Sequence, residues 1–249
     1  MKKLLLLSAL LIFTCSSDDS NNDNDNNNSE FLNCDGNPIP TIVYGTQEWT
    51  VENACHITYR DGTLIPEVID SALWSDITTG AWSYYNSDPT KGKLYNWYAV
   101  MGIHDNDPNT PNKEFAPEGW HVPTDAEWTT LEEHLISNGY NYDQTNTGNK
   151  IAKAMASTTG WNSSTSTILG AICNDQNLNN SSGFNAFPKG WRLSGGLFSA
   201  EGADAIFWSS TEKYYRSLFF GNSYVHRGSL NFSFDGSEQD GFSVRFVRD

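Results

Sequence analysis

Asp105-Asn106-Asp107-Pro108-Asn109 sets side-chain oxygens at alternate positions, the spacing with which a loop wraps a hard cation such as calcium. Asp105, Asp107 and Asn109 are the candidate ligands of a structural calcium ion. The run lacks the glycine and the distant bidentate glutamate of an EF-hand, and Pro108 interrupts it. A solvated polar turn therefore explains the same residues more simply. A second oxygen-rich run, Asn174-Asp175-Gln176-Asn177 followed by Asn179-Asn180, has the same ambiguity. No other cofactor is indicated.

Sugar binding is the other chemistry on offer. Saccharides are gripped by aromatic faces together with planar amides and charged groups. Tyr214, Tyr215, Tyr224 and His226, with Asn222 and Arg227 close by, supply those types in a loop-rich stretch. Their alternative role is the outer skin of a strand-rich domain, because tyrosine presents an apolar body and a polar tip to a surface. Trp120, Trp128 and Trp208 are expected in the core.

Enzymatic signatures are missing. His56, His104, His121, His134 and His226 show no HxH or HExxH spacing and no pairing with cysteine. Neither a GxSxG elbow nor a phosphate-cradling glycine loop is present. A hydrolase would need carboxylates clustered in a cleft, which only a structure can show.

The elements that must carry these residues are short. Ile42-Val43-Tyr44, Gly45-Thr46 and Gln47 to Val51 predict strand, tight turn, strand. Asp61-Gly62 and Thr79-Gly80 mark further turns around a short aromatic strand, Ala81 to Tyr85. Lys93 to Met101 is an apolar run that fits a buried strand or a short helix equally well. Thr124 and Glu127 form a capping box, after which Trp128, Leu131 and Leu135 fall on one helical face and Asn138-Gly139 ends the helix. Ile151, Ala154 and Met155 predict a second, shorter helix. Short strands follow at Phe207 to Ser209, Ser217 to Phe220, Tyr224 to His226 and Phe242 to Val247. In the last, Phe242, Val244 and Phe246 alternate with Ser243 and Arg245, as in a half-buried strand.

The N-terminal residues read as an export signal. Lys2 and Lys3 precede an apolar run, Leu4 to Phe13, too short to span a bilayer. Ile12-Phe13-Thr14-Cys15 is similar to a bacterial lipobox, with Cys15 as the lipidated residue after removal of residues 1–14; a plain secretory signal is the alternative. Residues 15–30 are almost wholly Ser, Asp and Asn, and cannot bury enough apolar surface to order themselves. They read as an acidic tether. Residues 31–249 are enough for one sizeable core. The net charge of −15 excludes a nucleic-acid binder, whose phosphates need a basic stripe. Export permits a disulfide. Cys34 and Cys55 flank the predicted hairpin and are the expected pair, leaving Cys173 as a buried thiol.

Eight ordered segments carry a family resemblance: Thr41–Asn53, Thr58–Pro66, Thr78–Asn86, Gly92–Val100, Phe115–Trp128, Gly183–Arg192, Trp208–Thr211 and Gly241–Asp249. Together they resemble the Fibrobacter succinogenes major paralogous domain. The resemblance implies an α+β, C-type-lectin-like single domain with short twisted antiparallel sheets, one clear and one short helix, and long loops. That fold is shared with formylglycine-generating enzymes, but their late cysteine pair has no counterpart, since no cysteine follows Cys173. Family members often carry cysteines where Ser83 and Phe246 stand here, so a disulfide has been lost as a unit. The resemblance also places the chain among exported proteins of Bacteroidota. There, an acidic patch after the lipidated cysteine marks the outer face of the outer membrane, with a mere spacer as the alternative. Asp70-Ser71-Ala72 fits the short O-glycosylation pattern of that group, making Ser71 a candidate acceptor.

The resulting expectation is a non-enzymatic lipoprotein, anchored to the outer membrane through lipid alone and facing the exterior. Its lectin-like domain would serve binding or adhesion, with a glycan or a surface protein as partner. The alternatives are an accessory subunit of an outer-membrane assembly and an uncharacterised hydrolase.

Overall fold

The hairpin opens the computed structural model, which describes residues 33, 35–212, 214–230 and 237–249. Cys15, Cys34, the signal and the tether lie outside the described residues. Strands β1 (Thr41–Tyr44) and β2 (Gln47–Thr50) pair antiparallel across Gly45-Thr46. Gly45 takes φ +65°, the left-handed conformation that this tight turn requires and glycine adopts freely.

Helix α1 (Ser71–Asp76) was not expected from the sequence. Its signal is Asp70, whose carboxylate caps the backbone N–H groups of Ala72 and Leu73. Strand β3 (Trp82–Tyr84) pairs with β4 (Lys93–Tyr95), and α2 (Trp97–Val100) starts immediately beyond. The apolar run from Lys93 is thus a strand and then a helix. Asn96 divides them by capping the Ala99 N–H while also accepting from the Ala81 N–H.

Helix α3 (Asp125–Ser137) begins at the predicted capping box, with both reciprocal hydrogen bonds formed, and buries Trp128, Leu131 and Leu135. Helix α4 (Ala152–Met155) is the short one. Two-residue strands β5 (Trp191–Arg192) and β6 (Phe198–Ser199) precede a meander of β7 (Asp204–Trp208), β8 (Tyr214–Phe219) and β9 (His226–Ser229). Strand β10 (Val247–Arg248) pairs with β2, closing the C-terminal residues onto the hairpin. Among the described residues, no helix is long and apolar enough to cross a membrane. The architecture is α+β, with more helical segments than the two expected.

Strand β7 separates two cores. Ala205 and Phe207 face a cluster with Trp49, Trp128, Leu131, Ile172 and Phe184. Ile206 and Trp208 face another with Tyr95, Trp97, Phe115, Phe242 and Phe246. Alternation along a single strand therefore feeds both layers.

The C-terminal segment departs from expectation. Phe242, Val244 and Phe246 are buried, but so are Ser243 and Arg245, at 2% and 1% exposure. The segment is no half-buried edge. Its backbone bridges Arg192, Tyr95, Phe207 and His121 in turn, so protein covers both faces.

Candidate functional site

The calcium candidates use their oxygens on their own loop. Asp105 Oδ1 accepts the Asp107 N–H at 2.9 Å, and Asp107 Oδ1 accepts both the backbone N–H and the side-chain amide of Asn109, each at 2.9 Å. Those bonds hold the Asp107 carboxyl below the usual range. A pocket of about 310 Å³ opens beside this loop, but Thr78 and Asn106 in its wall also satisfy each other. Among the described residues, no group of three or more His, Cys, Asp or Glu is placed to hold a metal ion.

The tyrosine cluster is split: the Tyr215 and His226 rings stand 6.3 Å apart, while Asn222 and Tyr224 lie away from Tyr214. Tyr214 pairs across from Ser229, whereas Asn222 and Tyr224 lie in the turn at the far end of the β8–β9 hairpin. At about 3.4 Å per residue, the length of β8 puts them roughly 17 Å apart. Tyr215 is a core residue at 9% exposure, with its ring 5.4 Å from that of Phe242. The reading of Tyr215 as a loop side chain is corrected by its register: opposite Trp208, it faces the second core.

Arg227 is occupied as well. It stacks 4.1 Å over Tyr214 and grips Asp125 through two 2.8 Å bonds. Arg216, 1% exposed, donates to the same Asp125 and to Glu132. Arg227 and Arg216 hold the Asp125 carboxyl below its usual range, while burial lifts Glu132 above its own despite Arg216. This network fastens α3 to the meander. His226 and Tyr224 remain exposed.

Ser71 is exposed as the first residue of α1, and its hydroxyl donates to the Gly196 carbonyl at 3.3 Å. Cys55 is disulfide-bonded; Cys34, its expected partner, lies outside the described residues. Cys173 is free and buried. His56 is enclosed by the rings of Phe115, Phe246 and Tyr95, and burial pulls its pKa down to about 4, which keeps it neutral.

The segments that carry the family resemblance mostly build the body. Trp208 Nε1 donates to the Tyr95 carbonyl at 2.7 Å, and Thr211 Oγ1 accepts the Asp125 N–H at 3.0 Å. Arg192 is fully buried. It donates to the carbonyls of Gly196, Val68 and Ile69 and lies over the Trp74 ring. Arg245 donates to Asn53 Oδ1 at 2.6 Å and to the carbonyls of Thr50, Phe184 and Asn185.

A different concavity survives this sorting. A pocket of about 250 Å³ lies between the stretch after β2 (Val51 to Cys55), Gly92-Lys93 at the start of β4, and the loop carrying Asn185, Phe187 and Lys189, with Arg245 also in its lining. The loop is pinned by backbone bonds between Ala186 and both Met155 and Ser157, and between Gly190 and Asp204. Asn185 holds φ +57° there, with its N–H donating to Asn180 Oδ1 at 2.8 Å. That strained conformation is tolerated by asparagine better than by most residues.

The pocket is cationic in an acidic chain. The Lys93 ammonium sits 4.9 Å from the ring centres of both Trp82 and Tyr84, and that of Lys189 sits 4.6 Å from Phe187. Burial, and then the charge of Lys91, pull the Lys189 pKa down. Lys91 takes Glu201 as its ion partner, and the charges of Glu201 and Asp88 act on Lys189 against that of Lys91. Burial lowers Arg245 to about 9, so it is still charged at neutral pH.

Sequence reasoning missed this site. Lys93 was absorbed into an apolar run, and Lys189 and Arg245 into family segments. The available signal was a cation inside an otherwise buried run, in a chain with only 15 Lys and Arg among 249 residues.

No curated protein and no solved structure matches the chain. A family model does, over residues 42–248, and the chain belongs to the Fibrobacter succinogenes major domain family.

Proposed function

We propose that this protein is a non-enzymatic binding or adhesion module, lipid-anchored through Cys15, held at the cell surface on the 15–30 tether, and built on a C-type-lectin-like body with a glycan as ligand. The observation that carries the reading is the pocket between β4 and the Asn185–Lys189 loop. It combines an aromatic side chain, Phe187, with the amides of Asn53 and Asn185 and the side chain of Lys189. Those are the groups that recognise a sugar's faces and hydroxyls, and they sit in a concavity bounded by pinned backbone. A glycan array probed with the purified chain tests the reading: saturable binding to a defined saccharide supports it, and a blank array contradicts it.

A second reading has its own observation. Ile69, Leu73 and Leu197 are 59%, 66% and 68% exposed around α1, an apolar surface suited to a protein neighbour. Under that reading the chain is an accessory subunit of an outer-membrane assembly. Stable co-purification with such an assembly, lost on Leu73→Asp, would favour it.

A further inference from the structure

We propose that the loop of residues 174–179 is a site for a singly charged cation, kept permanently filled by the ammonium group of Lys153. The second oxygen-rich run of the sequence is then a cation loop whose cation is built into the chain.

Lys153 lies in α4, a helix whose side chains are all buried. Its Nζ donates to the carbonyls of Asn174 and Asp175, the latter at 3.0 Å, and to Asn179 Oδ1 at 2.9 Å. An ammonium carries three N–H donors and no acceptor, so these oxygens satisfy it completely. Such a match is what allows a charge to be taken out of water.

The cradle is held by bonds that do not involve the ammonium. Asn179 Nδ2 donates to the Ser157 carbonyl at 2.9 Å, which turns Oδ1 toward Lys153. Asn174 accepts the Ser166 N–H on Oδ1 at 2.9 Å and donates through Nδ2 to the carbonyls of Ser166 and Ile168. The N–H groups of Ile172 and Cys173 donate to the carbonyls of Asn222 and Phe220, which ties the loop to the far end of β8. Asp175 and Asn180 hold φ +45° and +64°, left-handed conformations that strain a residue with a Cβ. These strained positions bracket the run whose oxygens meet at Nζ, and a bound positive charge offsets the crowding of their dipoles.

The ligands select a single charge. Calcium takes roughly six to eight oxygens, carboxylates among them. Here all the ligands are neutral carbonyl or amide oxygens. The Asp175 carboxylate is exposed, and its Oδ1 accepts from Asn177 Nδ2 at 3.4 Å. Burial pulls the Lys153 pKa down, and the charge of Asp175 opposes that pull. The carboxylate thus favours a cation in the cradle without serving as its ligand.

The test is chemical rescue followed by thermal melts. Lys153→Ala removes the side chain beyond Cβ, and n-propylammonium supplies the same atoms. The variant should melt about 5 °C or more below wild type, because its buried acceptors lose their donor. Added n-propylammonium chloride should restore about half of that loss or more, with a saturable dose dependence. Tetramethylammonium chloride at equal ionic strength has no N–H, and n-propanol at equal concentration has no charge; each should restore little. Calcium chloride should do no better than tetramethylammonium. A variant as stable as wild type, a destabilised one without saturable rescue, or rescue by propanol or calcium equal to that by n-propylammonium overturns the inference. Should Lys153→Ala not fold, the wild type carries the test by nitrogen-15 labelling of lysine Nζ. An ammonium resonance with cross-peaks to the Asn179 side-chain amide should persist at neutral pH, and its absence overturns the inference.

Discussion

Arg245 and Phe184 meet twice: the guanidinium lies 4.7 Å from the Phe184 ring centre and donates to the Phe184 carbonyl at 3.2 Å. One residue supplies a π face and an acceptor to a cation that, among the described residues, has no hydrogen-bonded or ion-paired carboxylate. Arg192 is held in the same way by carbonyls and by Trp74 and Phe198. Burying such charges is tolerable only when the donors are satisfied and directional. The arginines of the family segments are therefore fasteners between loops. Arg245→Met should cost about 3 kcal/mol or more in chemical denaturation, and Arg245→Lys should rescue little of it, because an ammonium cannot reach four acceptors in one plane.

The start of α3 carries two separable contributions. Thr124→Ala removes one half of the capping box and should cost about 1 kcal/mol. Asp125→Asn weakens the clamp on Arg216 and Arg227 and should cost about 2 kcal/mol at pH 7. Because Arg227 and Arg216 hold Asp125 below the usual carboxylate range, that contribution is fully present above its unfolded pKa and is lost as pH falls through the folded value. The gap between wild type and Asp125→Asn should therefore shrink in acid, measured as melting temperature against pH.

Asp204 runs the other way. Burial raises its pKa from 3.8 to about 6, and among the described residues no group donates a hydrogen bond to its carboxylate. Between those values the folded chain binds the proton more tightly than the unfolded one, so stability falls as pH rises through the window. Asp204→Asn should remove this slope and raise stability at pH 7.5 by about 1 kcal/mol after solvent screening. A variant that is less stable than wild type at pH 7.5 contradicts the assignment.

The hairpin tyrosines separate by burial. Tyr215→Ala should destabilise by about 3 kcal/mol, because it opens a cavity against Phe242 in the second core. Tyr224→Ala, at a side chain 45% exposed, should leave both stability and glycan binding unchanged. Loss of binding in a folded Tyr224→Ala would return the site to the hairpin.

What the sequence revealed was local. The capping box at Thr124 and Glu127 and the turn at Gly45 depend on residues within a few positions, and both form as read. The run from Lys93 was ambiguous for a physical reason: it contains a strand and a helix, divided by Asn96 acting as a cap. Burial on both faces of Phe242 to Phe246 was hidden, because the segments that cover it lie far away in the chain. The pocket was hidden likewise. Asn53, Lys93 and Lys189 belong to segments far apart in sequence, and nothing in their individual surroundings announces a shared concavity. Alternation at Tyr214, Tyr215 and Arg216 was legible only once the strand was known to begin at Tyr214.

Amide chemical-shift mapping with the array saccharide that binds most tightly tests the account most directly. The account predicts perturbations centred on Asn53, Gly92, Lys93, Asn185 and Lys189, which weaken in Lys189→Gln. Perturbations centred instead on Asn222, Tyr224 and His226, with the Gly92 and Lys189 signals unmoved, would contradict it.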